Sequence, residues 1–410
     1  MLALTTALRV WLALRQARHV AAHRAVVPVE FAASIALADH QKAADYTQAK
    51  LRLALWQLAA DTALLLVLTF GGLLAVLGAF WRDVFPEADQ AYGLALIASV
   101  GLAGFLVDLP FSLHRTFRLE ARFGFNKMTP ALWLADLARQ LLLTVLIGAP
   151  LLLLILWLMG AMGTLWWLYV WATWLGFNLL VLLLYPTFIA PLFNKFTPLA
   201  DPALRTRIET LLRRCGFASS GLFVMDGSKR SAHGNAYFTG FGRAKRIVFF
   251  DTLLDKLAPD EVEAVLAHEL GHYRLRHVWK SIAVMAALSF ALLWLLGQII
   301  DQPWFYAGLN AAPGSTAMAL ILFSLVLPAF TFPFAALLSW LSRRHEFEAD
   351  AYAARQADAS ALVAALVKLY RDNAATLTPD PLYSLFHDSH PPASQRIAHL
   401  HALTPRSPTC

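Results

Sequence analysis

From Leu141 to Asn194 the chain carries no charged side chain. About 20 apolar residues already span a bilayer as a helix, so this run is too long for one crossing. Gly160-Ala161-Met162-Gly163 is the natural place to turn, giving two membrane helices joined by a tight loop. The same reading applies to the 20-residue stretch Thr62–Trp81, to Ala91–Val107 before Asp108 and Pro110, to Ser281–Ile300 and to roughly 315–341. A weaker apolar stretch near residues 3–20 contains Arg9 and lacks a small-residue cleavage site. It reads as a first span or signal anchor rather than a cleaved signal peptide. The expected count is seven spans. Charged residues make up only 15% of the 410, which excludes a disordered chain, a coiled coil and an ordinary soluble enzyme.

Loop charges supply the orientation. Arg15, Arg18, Arg24, Lys42, Lys50 and Arg52 precede the second span, and the next loop is acidic on balance with Arg82, Asp83, Glu87 and Asp89. Arg115, Arg118, Arg122, Lys127 and Arg139 make the following loop basic, the 160–163 turn is neutral, and 195–280 is again rich in Arg and Lys. The loop near Asp301 holds an acid and no base, and Arg343 and Arg344 close the last span. Alternation of this kind places the loops at 15–60, 108–140 and 195–280, and the tail from 342, in the cytoplasm. The net charge of +7 is then accounted for by anionic lipid, and nucleic acid is not an expected partner. The Ala-, Leu- and Arg-rich composition points to a bacterial inner membrane. Two cysteines, Cys215 and Cys410, make no disulfide framework; Cys215 reads as a packed thiol and Cys410 lacks the following residues of a CaaX box.

The expected organisation is a membrane region over 1–194, a polar metallopeptidase segment over 195–280, two spans over 281–341 and a second polar segment over 342–410. Asp201-Pro202 is a helix start, with Leu204, Ile208, Leu211 and Leu212 on one face. Short strands are expected at 221–225, 235–239 and 246–250, with Gly240 and Gly242 forming a hairpin turn between the last two. Pro259, Asp260 and Glu261 open another helix, with acids in its first turn.

That helix runs into Ala267-His268-Glu269-Leu270-Gly271-His272. His268 and His272 are four residues apart, about one turn, and project from one face. Two imidazoles so placed hold one zinc ion, with Glu269 beside them to act on water. A catalytic zinc site needs a third protein ligand. The metzincin extension is absent, since Leu275 and Val278 stand where it requires glycine and histidine. His277, five residues beyond His272, rotates off the face and reads as a solvated helix histidine. The other source is His345-Glu346-Phe347-Glu348-Ala349-Asp350, after the last span. Glu346 and Asp350 share a face, which suits one carboxylate on zinc and another accepting a hydrogen bond from a ligand histidine. Glu348 points about 200° away from Glu346 and is the poorer ligand. Asp108 and Asp136 stand near span boundaries, and the pattern leaves open whether they line water or cap helices.

HELGH, EFEAD, the segment from Asn235 to Gly242, His390-Pro391-Pro392 before Arg396, and GFNKMTP at 124–130 together resemble the CAAX prenyl protease 1 family of integral-membrane zinc endopeptidases. The resemblance implies a mostly α, polytopic protein: about seven helices enclosing a chamber, capped by a gluzincin-type domain with a small β-sheet. It implies zinc on His268, His272 and Glu346, with Glu269 as general base. It places Asn235, Ala236, Tyr237 and Phe238 on an edge strand that binds peptide, and His390 and Arg396 beside the scissile carbonyl. The implied substrate is a prenylated protein or peptide. A bacterial quality-control metalloprotease of HtpX-like role is the alternative reading, and a non-enzymatic transporter or scaffold is a third.

Overall fold

The computed structural model describes residues 1–217, 219–239 and 246–403. The apolar segments become helices because a helix satisfies its own backbone hydrogen bonds where lipid offers none. Among the described residues, six helices are long and apolar enough to cross a membrane: Leu37–Leu68, Asp89–Glu120, Pro130–Ala161, Gly163–Phe193, His277–Ile299 and Thr316–Gln356. The first helix, Leu2–Ala22, is less apolar and is not among these six, so the described residues show six such helices where seven spans were expected. It packs against Leu37–Leu68 and Thr316–Thr331, and the Thr5 hydroxyl donates to the Ala329 carbonyl at 2.8 Å. The expected turn at 160–163 is present, with Gly163 at φ +56°.

The second span differs from its expected window. Thr62–Trp81 does not form one helix: Leu37–Leu68 ends there, and Leu73–Val84 is a separate helix. Gly72 lies at φ +76°, and a Cβ on Gly71 would sit 2.7 Å from the Val67 carbonyl oxygen. The helix there is Leu37–Leu68, which carries Lys50, Arg52 and Asp61 along its length. Counting charges misses such a helix because polar side chains can pair across a bundle. Gln57 does so, donating to Asp108 at 2.7 Å and accepting from Arg115 at 2.9 Å. Asp108 therefore stands inside a helix that runs on to Glu120, rather than at its end. Asp136 is buried and accepts from Arg139 and Arg230, so it ties a membrane helix to the segment after 195.

The polar segments fold around a mixed sheet of β1 (Phe196–Pro198), β2 (Leu222–Met225), β3 (Ala236–Thr239) and β4 (Arg246–Phe250), in the order β1-β2-β4-β3. β2 and β4 are parallel and the other pairs antiparallel. The three expected strands are present. β1 escaped notice because Phe-Thr-Pro is short and ends on proline, which is depleted in strands. β3 is an edge of the sheet. The expected turn at Gly240 and Gly242 lies outside the described residues. The helix Pro202–Arg214 starts where Asp201 accepts the Ala203 and Leu204 amides, and Leu204, Ile208, Leu211 and Leu212 are buried as their spacing requires. They share a core with Ile247 and Phe249 of β4, and with Leu266 and Leu270 of the helix Pro259–Arg274. Cys215 is half-buried, with its Sγ 3.6 Å from Gln356 Oε1.

Asp380 fastens the tail to the first helix. It is buried, it accepts from Arg15 Nε at 2.9 Å, and its own amide donates to Gln16 at 2.6 Å. It also caps the helix Pro381–His387 through the Leu382 and Tyr383 amides. Burial acts to raise its pKa, but Arg15 and the capping amides outweigh it and hold the carboxyl below its ordinary range. Its stabilisation is therefore present above the unfolded carboxylate pKa and lost as pH falls through the depressed folded value. Asp380→Ala should lower the thermal midpoint in detergent by several degrees, about 2–4 kcal/mol, and should remove that acid-side loss. An unchanged midpoint would show that the Arg15 pair contributes nothing.

Candidate metal centre

Two helices make the site. Pro259–Arg274 begins with its Glu261 carboxylate accepting the Ala258 amide at 2.7 Å. Ala335–Gln356 crosses it closely. The crossing depends on Gly271, where a Cβ would lie 3.0 Å from the Ala349 Cα and 3.1 Å from its carbonyl oxygen. The HExxH pattern itself makes no demand on Gly271. Its need arises from a neighbour 78 positions along, and no local pattern announces that.

Across this contact His268, His272 and Glu346 offer ligand atoms that all lie within 4.8 Å of one another. His268 Nε2 and His272 Nε2 are 3.2 Å apart. Glu346 lies 3.5 Å from the first and 3.3 Å from the second. Its Oε2 is buried without a hydrogen-bond partner among the described residues. Asp350 lies fully buried behind the cluster, 2.8 Å from His268 Nδ1, and Arg396 grips it with bonds of 2.8 and 2.6 Å. Imidazole nitrogens facing each other and a carboxylate oxygen that forms no hydrogen bond, with Arg396 Nη1 3.5 Å away, form a donor set that suits a cation. Burial works against charge on His268, but the Asp350 and Glu346 carboxylates outweigh it and raise its pKa to about 9. A metal must displace that proton, so its affinity falls as pH falls. Glu269 is pushed up by burial, against the pull of His268 and His272.

The other expected residues separate into two groups. His390 faces the cluster, its Nε2 3.4 Å from Glu346 and its side chain 62% exposed. Together with His268, Glu269, His272 and Glu346 it lines a cavity of about 730 Å³. Arg396 is buried and does not line that cavity; it binds Asp350 and approaches the cluster from behind, 3.5 Å from Glu346 Oε2 and 3.3 Å from His268 Nδ1. Asn235 is exposed just before β3, and its carbonyl accepts the Phe250 amide at 2.9 Å. Ala236 is buried, and Phe238 packs edge-on against Phe217. Tyr237 is half-buried between them. A larger groove of about 1420 Å³, between the first helix and the tail, contains none of the cluster residues.

His277 is not the solvated histidine its spacing implies. It is 3% exposed, with Nδ1 3.0 Å from His272 Nδ1 and Nε2 3.0 Å from Glu348 Oε2. The extrapolation fails because Arg276 adopts φ +58° and breaks the helix, so that His277 opens a new one. The 3.6-residue period does not carry across such a break. Glu348 is off the metal face, as its position predicts, and serves His277 instead.

The fold and this cluster define a membrane-embedded metallopeptidase. Family models match residues 16–195, described as CAAX prenyl protease N-terminal, five membrane helices, and residues 198–404, described as Peptidase family M48. The chain is 38% identical over 344 residues to CAAX prenyl protease 1 of Saccharomyces cerevisiae, covering 80% of this chain and 75% of that one. It is 32% identical over 416 residues to the human CAAX prenyl protease 1 homolog, covering 90% and 88%. The crystal structure of S. mikatae Ste24p superposes with a TM-score of 0.90 at 33% identity, over 97% of this chain and 96% of that one. The chain belongs to the CAAX prenyl protease 1 family of M48 peptidases.

Gly271→Ala should force the two helices apart. Overpacking of this kind costs about 1–3 kcal/mol, so the thermal midpoint should drop and metal retention weaken together. Wild-type metal retention would show that the helices can separate without disturbing the cluster.

Proposed function

We propose that the protein is a zinc endopeptidase that removes the C-terminal tripeptide from prenylated proteins or peptides. The observation that carries this reading is the wall of the 730 Å³ cavity. Opposite the polar cluster it is built from Trp174, Leu175, Leu179, Leu182, Ile282 and Met285. Trp174 and Ser289 also line an adjoining apolar cavity of about 540 Å³ within the helices. A lipidated residue can place its isoprenoid there while the adjacent peptide bond lies at the cluster. The names of the yeast and human relatives point to the same substrate class.

Zinc is favoured by the donors, since two imidazoles and a carboxylate leaving a position open are a catalytic zinc set. His268, His272 and Glu346 would hold it. When bound, zinc supplies Lewis acidity, bringing the pKa of water towards about 7 and polarising the carbonyl. Glu269 takes the proton from the attacking water and returns it to the leaving amine. It lines the cavity beside both histidines, and burial pushes its carboxyl up. Asp350 accepts the His268 Nδ1 proton and Arg396 keeps Asp350 in place. His390, at the cavity mouth, donates to the oxyanion as it forms. The outer edge of β3, with Asn235, Ala236, Tyr237 and Phe238, takes the peptide as an added strand. The loop charges support polar segments on the cytoplasmic side, and the Ala-, Leu- and Arg-rich composition supports a bacterial inner membrane.

The test is hydrolysis of a quenched farnesylated CaaX peptide by detergent-purified protein. Glu269→Gln should retain metal and lose about 10²–10⁴-fold in kcat, and o-phenanthroline should abolish turnover. The same peptide without farnesyl should lose about 10-fold or more in kcat/KM, given the apolar area the isoprenoid buries. Equal turnover of both peptides would overturn the prenyl assignment, and an active Glu269→Gln would dismiss that residue as the base.

A further inference from the structure

We infer that His277 and Glu348 form a relay that fixes the tautomer and ring orientation of His272, making both of them positioning residues for the metal centre. The inference rests on the reading of His272 as a metal ligand.

A carboxylate accepts hydrogen bonds and cannot donate them. Glu348 Oε2, 3.0 Å from His277 Nε2, therefore selects the His277 tautomer protonated at Nε2. His277 Nδ1 is then bare, and it lies 3.0 Å from His272 Nδ1. The opposite tautomer would set two N–H groups against each other across that distance and a lone pair against the carboxylate. His272 accordingly donates from Nδ1 and presents the lone pair of Nε2 to the cluster. His268 reaches the same state by another route, donating from Nδ1 directly to Asp350 at 2.8 Å. One ligand is thus set by a carboxylate in contact, the other by a carboxylate acting through a neutral imidazole.

The relay is held on several sides. The His277 ring stacks on His345 with centroids 4.2 Å apart and planes 10° apart. Glu348 is oriented by Arg344 Nε at 3.0 Å and by Lys280 Nζ at 3.6 Å. His277 follows the Arg276 break and Glu348 lies on the crossing helix, so the relay exists only when both helices are docked.

Zinc affinity, measured by competition with a chelating dye on the full-length protein in detergent, reads the relay without depending on turnover. Loss of a partner that orients a ligand histidine typically weakens metal binding 10–100-fold. His277→Phe should fall in that range. His277→Asn, whose amide oxygen can stand in for Nδ1, should recover most of the loss. Glu348→Leu should weaken binding, and Glu348→Gln, which still offers an acceptor, should stay close to wild type. The double variant His277→Phe/Glu348→Leu should be no weaker than His277→Phe alone, because both act in series. Thermal midpoints identify variants that fold, and the Asn and Gln arms serve if Phe does not. A folded His277→Phe or Glu348→Leu that binds zinc as tightly as wild type would overturn the relay, as would additive losses in the double variant. His272→Ala run in parallel separates the two readings. If it keeps zinc, the ligand assignment fails; if it loses zinc while His277→Phe does not, the relay alone fails.

Discussion

The candidate metal centre depends on one close helix crossing. Pro259–Arg274 brings two histidines and a glutamate, and Ala335–Gln356 brings the third cluster residue. The membrane helix His277–Ile299 and the first half of Thr316–Gln356 separate them along the chain. Where the helices touch, glycine faces alanine, and the backbones approach more closely than larger side chains would allow. That approach lets the short reach of a glutamate meet two imidazoles. It also explains why Leu266 and Leu270 on the other face join the sheet core, since the helix must be clamped from both sides to hold its position.

The crossing buries charge, and the surrounding side chains manage it. An ionised carboxylate in low dielectric is tolerated when it is paired and hydrogen-bonded. Asp350 has Arg396 and His268, and Glu261, at the start of its helix, has Lys368. Glu346 is the exception in degree: its buried Oε2 forms no hydrogen bond among the described residues and reaches Arg396 and His268 only at 3.5 Å. The exception falls where a cation would supply the missing partner. The same rule governs the membrane helices, where Gln57 links Asp108 to Arg115 and Arg230 answers Asp136. These polar side chains in the spans thus meet one another or the polar segment after 195.

Much of this was legible in the residues. The apolar runs announced the spans, HExxH announced two histidines on one face, and Asp201-Pro202 announced a helix that begins there. Each is a local pattern whose period or cap is a property of a few consecutive residues. Errors arose where a pattern was carried past a break or read without its partners. Thr62–Trp81 has the apolar run of one span, but two glycines divide it, and His277 has the spacing of a solvated residue, but the helix breaks at Arg276 just before it.

The sequence by itself determined the class of molecule and the pair of histidines, because hydrophobic run length and helical spacing are short-range. It narrowed the third cluster residue to the 345–350 segment, because Glu346 and Asp350 share a helical face. Only the tertiary structure decided the rest: that Gly271 meets Ala349, that Arg396 serves Asp350 from behind, that His277 joins His272 to Glu348, and that an apolar cavity opens beside the cluster. These are contacts between residues far apart in the chain. They follow from how whole helices pack, and no window of sequence contains both partners.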